Sequence, residues 1–423
     1  MRRDAVRASS QRQCLPVLDA YVEFFRDQHT SISGAERPNV NPQDTAAVVR
    51  FQRSAAYQDA EVVGLVKQGK LPLAAIEGQY QTADSTYLIQ IQPARTKFRD
   101  YVGVIVASRT PLWKVGQVKL ELQRKLNKQS YRVIQYQRNH APTIVDEVQV
   151  GQGNLKGTSW RKIGAPPTSQ LLGPEKHPVF RQLTGATTYL RIPSFGGQRQ
   201  AQLDSVYRQV RAGGRQGKNL LIDVRGNGGG SDDNVEPLLP LLLTSAFQDD
   251  LLEEYYVTPD NIERLTEYYR GMQKDSANYG AVALGKMRTK LRWLQQAPEG
   301  QFLADPAVAH RTFAATPATW PARVVILYDR GCASSCETLL FWARHSTKTL
   351  LLGENSGGYV GYGNIFTIAT PCYQFNLAST TLRLPNQLQY EVTGVPPAIR
   401  LSPNEDWLQQ AVRIVEQQTA ELH

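Results

Sequence analysis

Ser334 lies where an apolar strand pattern runs through small residues into a helix pattern: Val325-Ile-Leu-Tyr-Asp-Arg-Gly-Cys-Ala-Ser-Ser-Cys-Glu-Thr-Leu-Leu. A hydroxyl there is exposed at the carboxyl end of a strand, where α/β sheets place their ligands. It also meets the unpaired N–H groups of a helix N-terminus, which favour developing negative charge. That is the setting of a nucleophile, with the Ser335 N–H as an oxyanion donor. The same residues also read as a capping box, Ser334-x-x-Glu337, which any helix start can use.

Asp223-Val-Arg-Gly-Asn-Gly-Gly-Gly-Ser-Asp-Asp follows a second buried strand pattern. Its glycines let the backbone approach a ligand closely. Three readings stand: a phosphate cradle, an oxyanion loop donating a glycine N–H beside the serine, and a tight turn without a ligand. The cradle lacks the Gly-Lys-Ser/Thr of a P-loop, and Asp232 and Asp233 would repel a phosphate.

A serine nucleophile needs a base, and the chain has six histidines. His345 lies eleven residues beyond Ser334 on the same expected helix. At about 1.5 Å per residue the two are roughly 16 Å apart, too far for a hydrogen bond. His140 and His177 fall in a strand-rich region and a linker, His310 in or beside an insertion, and His423 at the terminus. His29, in the polar turn Arg26-Asp-Gln-His-Thr-Ser, is the best-placed candidate, although a loop histidine is commonly just solvated. There is no His-Glu-x-x-His, and Cys332-x-x-x-Cys336 has no second ligand pair. No metal or cofactor is expected.

Positioning these groups takes more than one domain, since 423 residues exceed what a single core usually organises. With 41% hydrophobic and 20% charged residues, the composition is that of an ordinary globular protein. No run approaches the roughly 18 apolar residues of a membrane span. Met1-Arg-Arg-Asp-Ala-Val-Arg has no apolar run behind it, so no signal peptide is visible. The net charge of +10 is scattered, without a basic run interleaved with aromatics, which argues against a nucleic-acid partner. Four cysteines are too few for a disulfide scaffold, and spacing does not decide whether one or two bridges form.

Cys14 to Phe25 has helical spacing, and 43–69 reads as further short helices closed by Gly69. From 78 to 162, strand-like runs separated by turn residues predict a small antiparallel β domain, followed by a linker over 164–178. Strand and helix patterns then alternate: Thr188-Tyr-Leu-Arg-Ile, a helix over 200–213, Asn219-Leu-Leu-Ile-Asp-Val, Arg323-Val-Val-Ile-Leu-Tyr, a helix over 334–345, and Thr349-Leu-Leu-Leu-Gly. This predicts an α/β core with largely parallel strands, interrupted by a helical insertion at 245–297. The expected domains are a helical segment at 1–74 carrying His29, a β domain at 75–165 and an α/β core at 175–423.

Together these segments resemble the tail-specific (C-terminal processing) protease family, in particular its tricorn-like, lysine-independent branch. Thr188-Tyr-Leu-Arg-Ile-Pro-Ser-Phe is similar to the strand before the family's first core helix, and Asp223-x-Arg-x-Asn-x-Gly-Gly to its oxyanion loop. Ala333-Ser-Ser-Cys-Glu resembles its nucleophile turn, and Gly353-Glu-Asn-Ser-Gly-Gly the strand and glycine turn that follow. The resemblance implies a ClpP/crotonase-like core, Ser334 rather than Ser335 as the nucleophile, and Gly229, Gly230 and Ser335 as oxyanion donors.

The processing proteases carry a lysine base 25 residues after the serine. Here that position is Tyr359, and no lysine follows Lys348, so a Ser–Lys dyad cannot be built. Phe25-Arg-Asp-Gln-His-Thr-Ser resembles the element that supplies a histidine in the tricorn-like branch. Tyr390-Glu391-Val-Thr-Gly-Val-Pro-Pro resembles the element that supplies its glutamate. The implied arrangement is Ser334, His29 and Glu391. Two positions depart from the pattern: Ala398 stands where the family usually has an acid, and no segment resembles a PDZ module, whose place the β domain takes. The implied activity is that of a serine peptidase acting on peptides or proteins, and relatives alone suggest a periplasmic or secreted location. The rival is a non-catalytic ligand- or peptide-binding protein on the same fold, since the family includes retinoid-binding relatives. The oligomeric state is not indicated.

Overall fold

The computed structural model describes residues 1–423 except 70, 126–129, 152, 166–173, 213–216, 250, 307–308, 310, 315–318, 384–389, 403–404 and 421–423. His310, His423 and most of the expected linker therefore lie outside the described residues. The chain forms two compact units.

The first comprises Met1–Phe25, Thr30–Leu171 and Thr367–Asn376. Six strands, Gly78–Thr82, Tyr87–Thr96, Arg99–Ser108, Val118–Arg124, Tyr131–Tyr136 and Pro142–Val148, pair antiparallel in sequence order. Alternation puts Ile89, Ile91, Leu120 and Leu122 in one core, and the helix Gln11–Glu23 adds Leu15 and Val22 to it. The N-terminal helix, expected in a segment of its own, thus shares the β domain's core, because its apolar stripe must be buried somewhere. Of the short helices expected over 43–69, only Thr45–Gln52 and Ala55–Gln58 form. Beyond them the backbone bonds to the sheet instead: Val63 N–H donates to Gly116 O and Val118 N–H to Glu61 O.

The second unit comprises Arg26–His29, Leu172–Phe366 and Leu377–His423. Its central sheet runs Val179–Gln182, Thr187–Arg191, Asn219–Asp223, Arg323–Tyr328, Thr349–Gly353, Ile399–Arg400 in spatial order. Only the first pairing is antiparallel. Both faces are covered, which is why these strands read as continuous apolar runs. Leu220, Ile222, Val324 and Ile326 pack toward the helices Gln200–Ala212 and Ser335–Ala343. Leu221, Val325, Leu327 and Leu352 pack with Ala411 and Val415 of the helix Trp407–Ala420.

The insertion at 245–297 is not helical throughout. The short strand Phe247–Gln248 and the strand Leu252–Tyr256, antiparallel to the end of Tyr373–Arg383, precede the helices Pro259–Lys274 and Ser276–Gln296. Leu-Glu-Glu-Tyr-Tyr has no strong strand signature, and its two pairing partners, Phe302–Ala304 and Tyr373–Arg383, are both distant in sequence. Among the described residues no helix is long and apolar enough to cross a membrane.

Candidate active site

Adjacent parallel strands bring two loops to the same edge of the sheet. Asp223 pairs with Leu327, so the glycine loop at 224–230 and the serine turn at 329–334 leave side by side. They are bonded together: Gly226 N–H donates to Asp329 Oδ1 at 2.7 Å, and Ala333 N–H to Asn227 O at 3.0 Å.

Ser334 is the residue of this turn with an unusual backbone, at φ 55° and ψ −123°. A side chain in this region is strained by contact with its own backbone, a conformation that clusters at functional sites. Ser334 is half-buried at the N-cap of the following helix, where it forms a capping box with Glu337. Ser335 begins the helix Ser335–Ala343 and is buried.

A buried carboxylate holds the turn. Glu337 Oε2 accepts the N–H groups of Ser334 at 3.0 Å and Tyr359 at 2.8 Å. Its Oε1 accepts the Gly358 N–H at 2.8 Å and the Ser356 hydroxyl. Burial pushes the Glu337 pKa up to about 7, while these donors pull it down.

The glycine loop packs directly on the serine. A Cβ at Gly229 would lie 2.9 Å from Ser334 Cβ and 2.6 Å from Ala333 O, and the residue has φ +92°. At Gly230 a Cβ would meet the Phe195 backbone at 2.2 Å. The Gly229 amide, expected as an oxyanion donor, is already used: it donates to Asn227 Oδ1 at 2.9 Å. That expectation is corrected, and the need for glycine here is close approach. The amides of Gly230 and Ser335 make no hydrogen bond among the described residues.

His29 and Glu391 come to the same neighbourhood through chain distant in sequence. The His29 ring meets the Tyr359 ring edge-on at 5.2 Å, and the His29 backbone N–H donates to Asp27 Oδ1 at 2.8 Å. Glu391 accepts the N–H of Gln28 at 2.9 Å on Oε1, and those of Val360 at 2.9 Å and Gly361 at 2.7 Å on Oε2. The bond expected between Glu391 and the histidine ring is not made, for His29 Nδ1 is buried without a partner.

Residues 186–401, more than half of the chain, match the profile of peptidase family S41. The chain belongs to peptidase family S41. It is thus a serine-type peptidase, whose substrates are peptides or proteins. No curated protein matches it. Among solved structures, mature CPAF complexed with lactacystin shares 12% identity over 98% of this chain and 90% of that one, with a TM-score of 0.47. The photosystem II D1 C-terminal processing protease shares 13% over 98% and 89%, with a TM-score of 0.35. A protein of Parabacteroides merdae ATCC 43184 taken to be a peptidase shares 16% over 56% of this chain, with a TM-score of 0.36, and this chain spans only 64% of its length.

In this S41 peptidase the electrostatics around the histidine suit a base. Burial lowers the His29 pKa below 6.5, opposed by the Asp27 charge, so the ring is neutral at neutral pH. Burial raises the Glu391 pKa, opposed by its three backbone donors. The other described histidines are engaged elsewhere: His345 stacks on Phe247 at 4.3 Å, both ring nitrogens of His140 bond backbone carbonyls, and His177 Nδ1 lies 3.4 Å from the Arg199 guanidinium. The larger role of Glu337 was legible only as a helix cap. Asn227, which holds the Gly229 amide, was visible as the Asn of Asp-x-Arg-x-Asn but without a role.

Proposed function

We propose that this S41 peptidase cleaves peptide bonds with Ser334 as nucleophile, His29 as general base and Glu391 as the carboxylate that positions the base. Its framework on this reading is a ClpP/crotonase-like core, with the β domain standing where related enzymes carry a PDZ module. The observation that carries the reading is the Ser334 backbone at φ 55° and ψ −123°. Strain of this kind costs of order 1–3 kcal/mol and persists only where the surroundings over-determine it. Strain held at the candidate nucleophile favours the catalytic reading over the non-catalytic alternative.

Ser334 Oγ attacks the scissile carbonyl as its proton passes to His29. The charge developing on the carbonyl oxygen meets the free N–H groups of Gly230 and Ser335. Collapse of the tetrahedral intermediate returns the proton to the leaving amine and leaves an acyl group on Ser334, which water then hydrolyses. His29 Nδ1 lacks an acceptor, while Glu391 is tied to the neighbouring residue, Gln28. Catalytic hydrogen bonds of this kind often tighten only in the Michaelis complex. The Cys332–Cys336 disulfide supports a periplasmic or secreted location, since such bridges persist in oxidising compartments.

The test is labelling by a fluorophosphonate probe, followed by intact mass. Wild type is expected to gain one adduct that Ser334→Ala lacks. Equal labelling of both proteins would remove Ser334 from the mechanism.

A further inference from the structure

Ser334 is the middle residue of a small covalent ring. Cys332, two residues before it, and Cys336, two after it, are joined by a disulfide. Both cysteines are fully buried in the core that the helix Ser335–Ala343 forms with the sheet. Cys332 precedes the helix and Cys336 lies in its first turn, so the bridge spans the strained residue. The backbone of Cys332 is anchored as well: its N–H donates to Asp329 O at 2.9 Å, and its C=O accepts the Gly357 N–H at 2.7 Å. The second bond links the cystine to the 356–359 loop, which supplies three of the four donors on Glu337.

A ring this short contributes less to global stability than a longer one would, because the entropic gain of a crosslink grows with loop length. Its consequence is local. It fixes the separation of the residues flanking Ser334, and so opposes relaxation of the turn toward an unstrained backbone.

We propose that the Cys332–Cys336 cystine is a positioning device for the nucleophile, so that Ser334 is reactive in the oxidised protein and loses most of that reactivity when the bridge is opened. This rests on the reading of Ser334 as nucleophile. Opening by dithiothreitol is a thiol–disulfide exchange: the S–S bond breaks, each sulfur takes up one electron and one proton, and the reductant closes to its cyclic disulfide.

The experiment compares oxidised protein, dithiothreitol-reduced protein and the Cys332→Ala/Cys336→Ala variant. Thiol titration in denaturant is expected to count two thiols before reduction, from Cys14 and Cys372, and four after it. The fluorophosphonate labelling rate is expected to fall at least tenfold in the reduced protein and in the variant. Peptide turnover should lose kcat with KM nearly unchanged, and amide exchange over 331–337 should quicken while the melting temperature moves little. Four thiols in the untreated protein, or labelling at the oxidised rate with unchanged exchange in the reduced protein and the variant, overturns the proposal. Exchange that quickens on reduction of a protein that never labels would support the cystine's hold on the turn and discard Ser334 as nucleophile. If the variant does not fold, the reduced wild type decides. If the buried bridge resists reduction, the variant does.

Discussion

Glu337 grips Ser334 by the backbone: Oε2 accepts the Ser334 N–H at 3.0 Å, and the same oxygen accepts the Tyr359 N–H at 2.8 Å. The serine turn and the loop that meets the His29 ring are therefore fastened to one buried group.

Glu337→Gln keeps the shape and turns one acceptor into a donor facing donors. The expected cost is about 1–3 kcal/mol of stability, from buried N–H groups left unpaired. Labelling of Ser334 should slow by about 10–100-fold, as a small misplacement of a reacting group does. Wild type should also show a pH dependence that the variant lacks. Burial raises the Glu337 pKa from 4.5 to about 7, so across that window the folded protein binds more protons than the unfolded chain. The group's contribution is full below 4.5 and is lost as pH rises to about 7. Urea denaturation of both proteins from pH 4.5 to 8 tests this, and parallel curves would contradict it.

Gly229→Ala should be far more damaging than Gly228→Ala. The first adds a methyl 2.6 Å from Ala333 O and 2.9 Å from Ser334 Cβ, on a backbone at φ +92°. The second meets nothing within 4 Å and has an ordinary φ. Gly229→Ala is expected to lose about 100-fold in kcat/KM and roughly 1–3 kcal/mol of stability. Comparable activity in the two variants would show that close packing on the serine is not required.

The legibility of this site in the sequence followed sequence distance. The serine turn and the glycine loop were readable because each is one strand, one turn and one helix start, with the turn chemistry written in adjacent residues. The parallel core was readable from apolar runs buried on both faces. What escaped depended on which distant segments meet. The Gln28 N–H reaches Glu391 across 363 residues, and only a family resemblance suggested that these segments belong together. The strand Leu252–Tyr256 was hidden because its pairing with residues 380–383, not its composition, makes it a strand. The Gly229 amide was misassigned because a glycine pattern cannot say which N–H is already taken.

The acid limb of the kcat/KM profile should lie below pH 6.5. On the proposed mechanism His29 acts as a base only when neutral, and burial lowers its pKa from 6.5 against the opposing Asp27 charge. In stability the same shift acts in one direction. The contribution is present above 6.5 and is lost as pH falls from there through the folded pKa, since the unfolded histidine gains its proton first. A peptide assay from pH 4.5 to 8 checks the limb. A half-maximal point above 6.5 that survives Glu337→Gln would mean another group sets the acid limb.

Ser334→Gly should be more stable than Ser334→Ala, although neither can be labelled. At φ 55° and ψ −123° an alanine retains a Cβ and so keeps the strain of the serine, whereas glycine adopts this region freely. Relief of one strained residue is of order 1–3 kcal/mol, and the greater freedom of glycine in the unfolded chain takes back roughly 0.5–1 kcal/mol. The glycine variant should therefore exceed the alanine variant by about 1 kcal/mol, or roughly 1 °C in melting temperature for a protein of 423 residues. Both should match wild type in far-ultraviolet dichroism, because the helix Ser335–Ala343 keeps its remaining residues and its packing. Equal melting temperatures would mean that the turn stores no strain, and the argument from backbone geometry to an activated serine would lose its footing.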